Sequence, residues 1–155
     1  MQTEQEEVRV DIKTLEHGKD LPIPAYQTNG SAGIDLYAAI QKNIKIHSSE
    51  YTLIPTGISF AIPHGYEAQV RPRSGLAAKF GLTVLNSPGT IDSDYRGEIK
   101  IIIINHGKNT YEIKRGDRIA QAIFTPVTRV KFNIVSELSN TARGAGGFGS
   151  TGTEN

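Results

Sequence analysis

The chain has no cysteine, no tryptophan and a single methionine, and its aromatic content is six tyrosines and five phenylalanines. Without cysteine there is no disulfide framework and no thiolate set for a structural zinc. Any core must come from aliphatic packing, which 155 residues can supply as one domain. Charge of one sign is also missing: the formal net charge is +1, too little for a field that would gather nucleic acid. No apolar run approaches the ~20 residues of a membrane-spanning helix. The opening Met1-Gln2-Thr3-Glu4-Gln5-Glu6-Glu7 is acidic and polar, unlike a signal or transit peptide. These absences predict a soluble, cytoplasmic protein with no membrane or nucleic-acid partner. There is no internal repeat.

What is present is alternation. Val8, Val10 and Ile12 alternate with Arg9, Asp11 and Lys13, the pattern of a half-buried first strand. Ile34 and Leu36, Ile44 and Ile46, then Ile58, Phe60 and Ile62, then Tyr66, Ala68 and Val70 repeat it. Residues 99–104 are apolar almost throughout and β-branched, which predicts a strand covered on both faces. Ile119, Gln121 and Ile123 share a face opposite Ala120, Ala122 and Phe124. Val130, Phe132 and Ile134 predict a last strand. One short helix is expected, capped by Ser74, built on Leu76-Ala77-Ala78-Lys79 and ended by Gly81. Many short strands with turns between them indicate a β-sandwich or barrel.

Four stretches carry chemistry. The first is Asn86-Ser87-Pro88-Gly89-Thr90-Ile91-Asp92-Ser93-Asp94-Tyr95-Arg96-Gly97-Glu98, an insert between two strand-like flanks and longer than an ordinary hairpin turn. On a strand, Asp92 and Asp94 would point to one face and need solvent, a cation or a basic partner. A solvated turn explains the same composition. In the second, Arg71-Pro72-Arg73-Ser74-Gly75 enters the helix and suits either a phosphate cradle or a plain helix start. The third is Gln121, an amide among apolar neighbours that needs partners, in the core or on a ligand. The last runs through residues 139–155, with five glycines from Gly144 to Gly152 and no apolar period. It lacks the lysine and the preceding strand of a P-loop. Its Arg143 and Phe148 are types that grip phosphate and stack on a base. The histidines are scattered without metal-ligand spacing, and no Gly-x-Ser-x-Gly elbow supports a serine hydrolase.

Taken in order, Ser31-Ala32-Gly33-Ile34-Asp35-Leu36-Tyr37-Ala38-Ala39, the Arg71 to Leu76 stretch, the 86–98 insert, Gly116-Asp117-Arg118-Ile119-Ala120-Gln121 and the glycine-rich tail closely resemble the motif set of the trimeric dUTP pyrophosphatases (dUTPases). Thr90 and Ala122 depart from it, standing where bulkier aliphatics are frequent. The resemblance implies an all-β, jelly-roll-like barrel with one short helix, assembled as a homotrimer. It implies a barrel over residues 1–138 and a tail over 139–155 that closes on an active site shared between subunits. The implied reaction is hydrolysis of dUTP to dUMP and pyrophosphate with Mg2+, by water attack on the α-phosphorus, and the metal would be held by triphosphate and waters. By motif, Asp92 would activate the water. Asn86 and the hairpin backbone would read uracil, and Tyr95 would pack against the deoxyribose. Arg73, Ser74, Gly75 and Gln121 would hold phosphates. Arg143 and Ser150 would close on the γ end, and Phe148 would cover the base. Thr90, Ile91, Lys100 and Gly149 belong to the same substrate-binding set, and Asp35 to a supporting polar network. The competing readings are a dCTP deaminase, a nucleotide-binding jelly roll without turnover, and a structural β-trimer.

Overall fold

The computed structural model describes residues 7–152. Short strands dominate it: β1 (Asp11–Thr14), β2 (Ile34–Tyr37), β3 (Ile44–Ile46), β4 (Tyr51–Pro55), β5 (Ile58–Ala61), β6 (Tyr66–Arg71), β7 (Leu82–Val84), β8 (Gly89–Ile91), β9 (Lys100–Asn105), β10 (Tyr111–Ile113) and β11 (Arg118–Pro126). The one α-helix among the described residues, α1, spans Ser74–Phe80. Every pairing is antiparallel: β2-β11-β6-β8 in one sheet, β4-β9-β7 in another, with β1-β5 and β3-β10 as two-stranded ribbons. The architecture is a jelly-roll-like all-β barrel. No helix among the described residues is long and apolar enough to cross a membrane.

Alternation fills the core. Leu36 from β2, Ile54 from β4, Ala68 and Val70 from β6, Ile101 and Ile103 from β9, and Ala120 and Ala122 from β11 meet in one buried cluster. Phe60 and Phe124 close one side of it edge to face, with ring centroids 5.4 Å apart. Each fully buried Ile or Leu stabilises the fold by about 1.5–3 kcal/mol, so aliphatics replace the missing staples. A polar knot lies beside them: fully buried Asn105 donates to Ile46 O at 2.9 Å and Asn109 O at 2.8 Å, and accepts from Gly107 N at 2.8 Å.

Five expectations are corrected. The first strand begins only at Asp11, and Val8 and Ile12 are exposed, because β1 pairs with β5 alone. Ser74 is not the helix cap. Arg73 is, with extended backbone, and no side chain caps the helix, since Ser74 is already helical. At the other end Gly81 takes φ +71° and closes the helix by N–H bonds to Ala77 and Leu76 carbonyls. The Asp92–Asp94 pair is not on a strand: β8 ends at Ile91, and a turn closed by Tyr95 N to Asp92 O at 3.2 Å follows. Strand β9 is covered on both faces except at Lys100, which is exposed, and Ile102, which is half-buried, both at the mouth of a cleft. Residues 130–134 form no strand. Phe132 and Ile134 are 88% and 96% exposed, because no strand edge among the described residues pairs with them.

Candidate active site

The 86–98 insert leaves the hairpin that carries it. Its flanks pair as expected, Val84 opposite Ile103 and Leu82 opposite Asn105. The middle of the insert crosses to the other sheet as β8, where Gly89 lies opposite Val70 and Ile91 opposite Ala68. That crossing opens a cleft of about 420 Å³ between the two sheets, within the range of small-ligand sites. Its floor is apolar: Val70, Val84, Ile91, Ile99 and Ile101. Its rim carries Asn86, Thr90, Asp92, Tyr95 and Lys100, so six expected site residues, Ile91 included, converge here. Among the described residues no hydrogen bond or ion pair engages the exposed Asp92 carboxylate. Tyr95 is fixed instead. Its hydroxyl donates to Glu98 O at 3.0 Å. Its ring lies where a Cβ on Gly97 would come within 2.6 Å of Tyr95 Cζ, so a side chain at position 97 would push the ring from its place. Arg96 ties the same turn by donating to Ser93 O at 2.6 Å and Tyr95 O at 3.1 Å.

A second group forms where β2, β11 and the start of α1 meet, and none of it lines the cleft. Asp35 is paired with Arg73 Nε at 3.0 Å and with Arg118 Nη1 at 3.4 Å. Arg73 Nη1 also donates to Arg118 O at 3.1 Å. Gln121, opposite Asp35 in the ladder, donates to Pro72 O at 3.0 Å and leans over Gly33. Its amide is therefore held by backbone. Ser74 and Gly75 stand exposed beside Arg73 at the first turn of α1. Two guanidinium groups against one carboxylate leave a net positive charge, which suits an anion with several oxygens. Thr90 lines the cleft and Ala122 is fully buried in the core, so both departures from the motif set are accommodated.

The tail is a third piece. Arg143 Nε donates to Gly146 O at 2.8 Å, and Ser150 N to Gly147 O at 3.0 Å. Phe148 is 114% exposed, and Gly149 beside it is exposed as well. None of these residues lines the cleft or touches the Arg73 group. A single chain thus holds the expected residues in three separate sets. Arg118 was overlooked in the sequence, although it stands beside Asp117 within a quoted motif. His17, which meets Glu98, left no signal there, because the two are far apart in the chain and joined only by the fold.

Residues 19–152 match the family model described as dUTPase. The chain belongs to the dUTPase family. The deoxyuridine 5'-triphosphate nucleotidohydrolase of Wolbachia pipientis subsp. Culex pipiens (strain wPip) is 58% identical over 151 residues, covering 96% of this chain and 99% of that protein. The protein of the same name from Rhizobium rhizogenes is 57% identical over 145 residues, covering 92% and 93%. Among solved structures, the Staphylococcus bacteriophage 80alpha dUTPase with dUPNHPP has a TM-score of 0.84 at 26% identity, covering 94% of this chain and 99% of that one. A dUTPase mutant from phage phi11 of S. aureus, described with a structural Mg(II) ion, has a TM-score of 0.74 at 23% identity, covering 83% and 97%, a likeness of fold.

Proposed function

We propose that this dUTPase-family chain hydrolyses dUTP to dUMP and pyrophosphate, lowering dUTP and supplying dUMP for thymidylate synthesis. The observation that carries the reading is the unpaired Asp92 carboxylate at the rim of an apolar-floored cleft that also presents Asn86 and Tyr95. Asp92 orients a water and takes its proton as the water oxygen attacks the α-phosphorus. The bond from the α-phosphorus to the α–β bridging oxygen breaks, and pyrophosphate leaves. A carboxylate that stands open to the cleft has room for a water beside it, and general-base help of this kind is worth about 10²–10⁴-fold. Asn86, with both donor and acceptor, and the backbone at Thr90 and Ile91 read the uracil edge. Tyr95 lies beneath the deoxyribose, and Lys100 stands at the rim.

Phosphoryl transfer needs alignment and charge neutralisation more than covalent help. Arg73, Ser74, Gly75 and Gln121 supply it, with Asp35 fixing Arg73. Mg2+ enters with the substrate, held by the triphosphate and waters, because a triphosphate chelates a divalent ion. Because these residues and the tail lie apart on one chain, a homotrimer with a site shared between subunits is the assembly that fits. The exposed apolar segment 130–134 supports it, since each Å² of such surface removed from water contributes about 25 cal/mol. In that assembly the barrel belongs to residues 1–138 and the lid to 139–155, of which 1–6 and 153–155 lie outside the described residues, and Arg143, Phe148, Gly149 and Ser150 close over bound triphosphate.

Pyrophosphate release from dUTP, dCTP, dTTP and UTP with Mg2+ tests the reading. Release from dUTP alone is expected. Ammonia from dCTP would mean a deaminase, and dUTP binding without turnover a binding protein.

A further inference from the structure

Glu98 is tied at both ends. Its side chain, 16% exposed, places Oε1 3.0 Å from the Gly57 backbone N–H and 2.5 Å from His17 Nε2. Its own carbonyl receives the Tyr95 hydroxyl at 3.0 Å. On one side Glu98 holds an aromatic in the turn after β8. On the other side lies a rigid frame.

The frame is built by close backbone contact. Gly57, at φ +69°, sits so tightly against Gly18 that a Cβ on it would lie 2.6 Å from Gly18 Cα. Leu15 N donates to Gly57 O at 2.8 Å. Arg115 grips the same turn, donating to His17 O at 2.7 Å and Ile40 O at 3.2 Å and pairing with Asp20. Thr56 adds a bond of 2.5 Å to Ile99 O, immediately after Glu98. A continuous path therefore runs from Arg115 through His17 and Glu98 to the Tyr95 hydroxyl.

We propose that His17 and Glu98 are positioning residues that hold Tyr95 at its angle over the cleft and so set the preference for deoxyribose over ribose. The inference rests on the reading of Tyr95 as the residue beneath the sugar. A ring pinned through its hydroxyl cannot tilt away to admit a 2′-hydroxyl, whereas a ring freed at that end can. Glu98 touches no reacting atom in this account. It acts through Tyr95.

The test compares kcat and KM for dUTP and UTP in the full-length protein and in Glu98→Ala, Glu98→Gln, His17→Ala and Tyr95→Phe. Glu98→Ala and His17→Ala should lower the dUTP-to-UTP ratio of kcat/KM by about threefold to tenfold, the range that one net hydrogen bond carries. The change should fall mainly on UTP. Glu98→Gln keeps an oxygen for Gly57 N–H and His17, so it should restore most of the ratio. In a Tyr95→Phe background the hydroxyl link is already gone, and Glu98→Ala should add little. An unchanged ratio in folded Glu98→Ala or His17→Ala, or effects of Glu98→Ala and Tyr95→Phe that multiply, would overturn the proposal. If Glu98→Ala does not fold, His17→Ala with and without Tyr95→Phe decides the same point. A readout independent of turnover is the fluorine resonance of 3-fluorotyrosine at Tyr95, assigned by its loss in Tyr95→Phe. It should move in His17→Ala. If the parent releases no pyrophosphate from dUTP, the functional reading fails, while this resonance still reports whether His17 holds Tyr95.

Discussion

Asp35→Asn puts an amide where two guanidinium groups converge, and its cost can be worked from the two contacts. Arg73 Nε lies 3.0 Å from one oxygen, with side chains 31% and 15% exposed. A hydrogen bond to a charged partner in such a place contributes about 1.5–3 kcal/mol. Arg118 Nη1 is farther, at 3.4 Å, and its side chain is nearly half exposed, so solvent screening leaves about 0–1 kcal/mol. Asparagine keeps one acceptor and turns an NH2 toward the second guanidinium. The variant should therefore lose about 1–3 kcal/mol of stability, most of it through Arg73. Because Arg73 is then less well aimed, kcat/KM for dUTP should also fall, about tenfold for each 1.4 kcal/mol lost from its alignment. Urea unfolding of parent and variant at one fixed protein concentration measures the first effect. A double-mutant cycle apportions it: coupling of Asp35 to Arg73 should exceed coupling to Arg118. Equal couplings, or an Asp35→Asn variant within about 0.5 kcal/mol of the parent and fully active, would refute the reasoning.

Asp92→Asn should keep the fold and dUTP binding and lose about 10²–10⁴-fold in kcat, read by pyrophosphate release, because the amide cannot take the water's proton. Truncation after Leu138 should leave a folded protein that binds dUMP and turns over dUTP very slowly; a Phe148→Trp reporter should respond to a non-hydrolysable dUTP analogue far more than to dUMP. Acid should weaken one surface tie: the hydrogen bond from Arg115, followed by backbone hydrogen bonding, holds the Asp20 carboxyl below its ordinary 3.8. A lowered carboxyl contributes stability that is present above 3.8 and lost as pH falls through the folded value, so Asp20→Asn should lower the melting temperature near neutral pH, more at low salt, and not in strong acid.

Alternation made β2, β3, β5, β6 and β11 legible in the sequence, because each has a face in the core that repeats every second residue, while β9 showed as a continuous apolar run. Short α1 was legible from its alanines and Gly81. Alternation says nothing about where a strand finds its partner. Val130, Phe132 and Ile134 have the pattern of a strand and no strand partner among the described residues. The crossing of β8 to the other sheet was hidden for a different reason: Gly89-Thr90-Ile91 is too short for a period to show, and its register is set by β6. Strands β4 and β10 escaped notice because Tyr51, Leu53 and Tyr111 carry apolar bulk outward or at the edge. At the site, residue types and order gave the members, while the sharing of Asp35 between Arg73 and Arg118 and the contact of His17 with Glu98 depend on chain folding.

The floor of the cleft has a consequence for how this molecule could change over generations. Val70, Val84, Ile91, Ile99 and Ile101 are at once the ground on which a nucleotide would rest and members of the main packing cluster. A methyl group removed from any of them deepens the binding surface and loosens the interior in the same stroke. Interiors pack with few voids, so neither effect can be tuned without the other. Mutational drift there should be narrow, with compensating pairs exchanged across the two sheets, and attempts at thermal hardening have more room at the β1-β5 and β3-β10 ribbons than beneath the cleft.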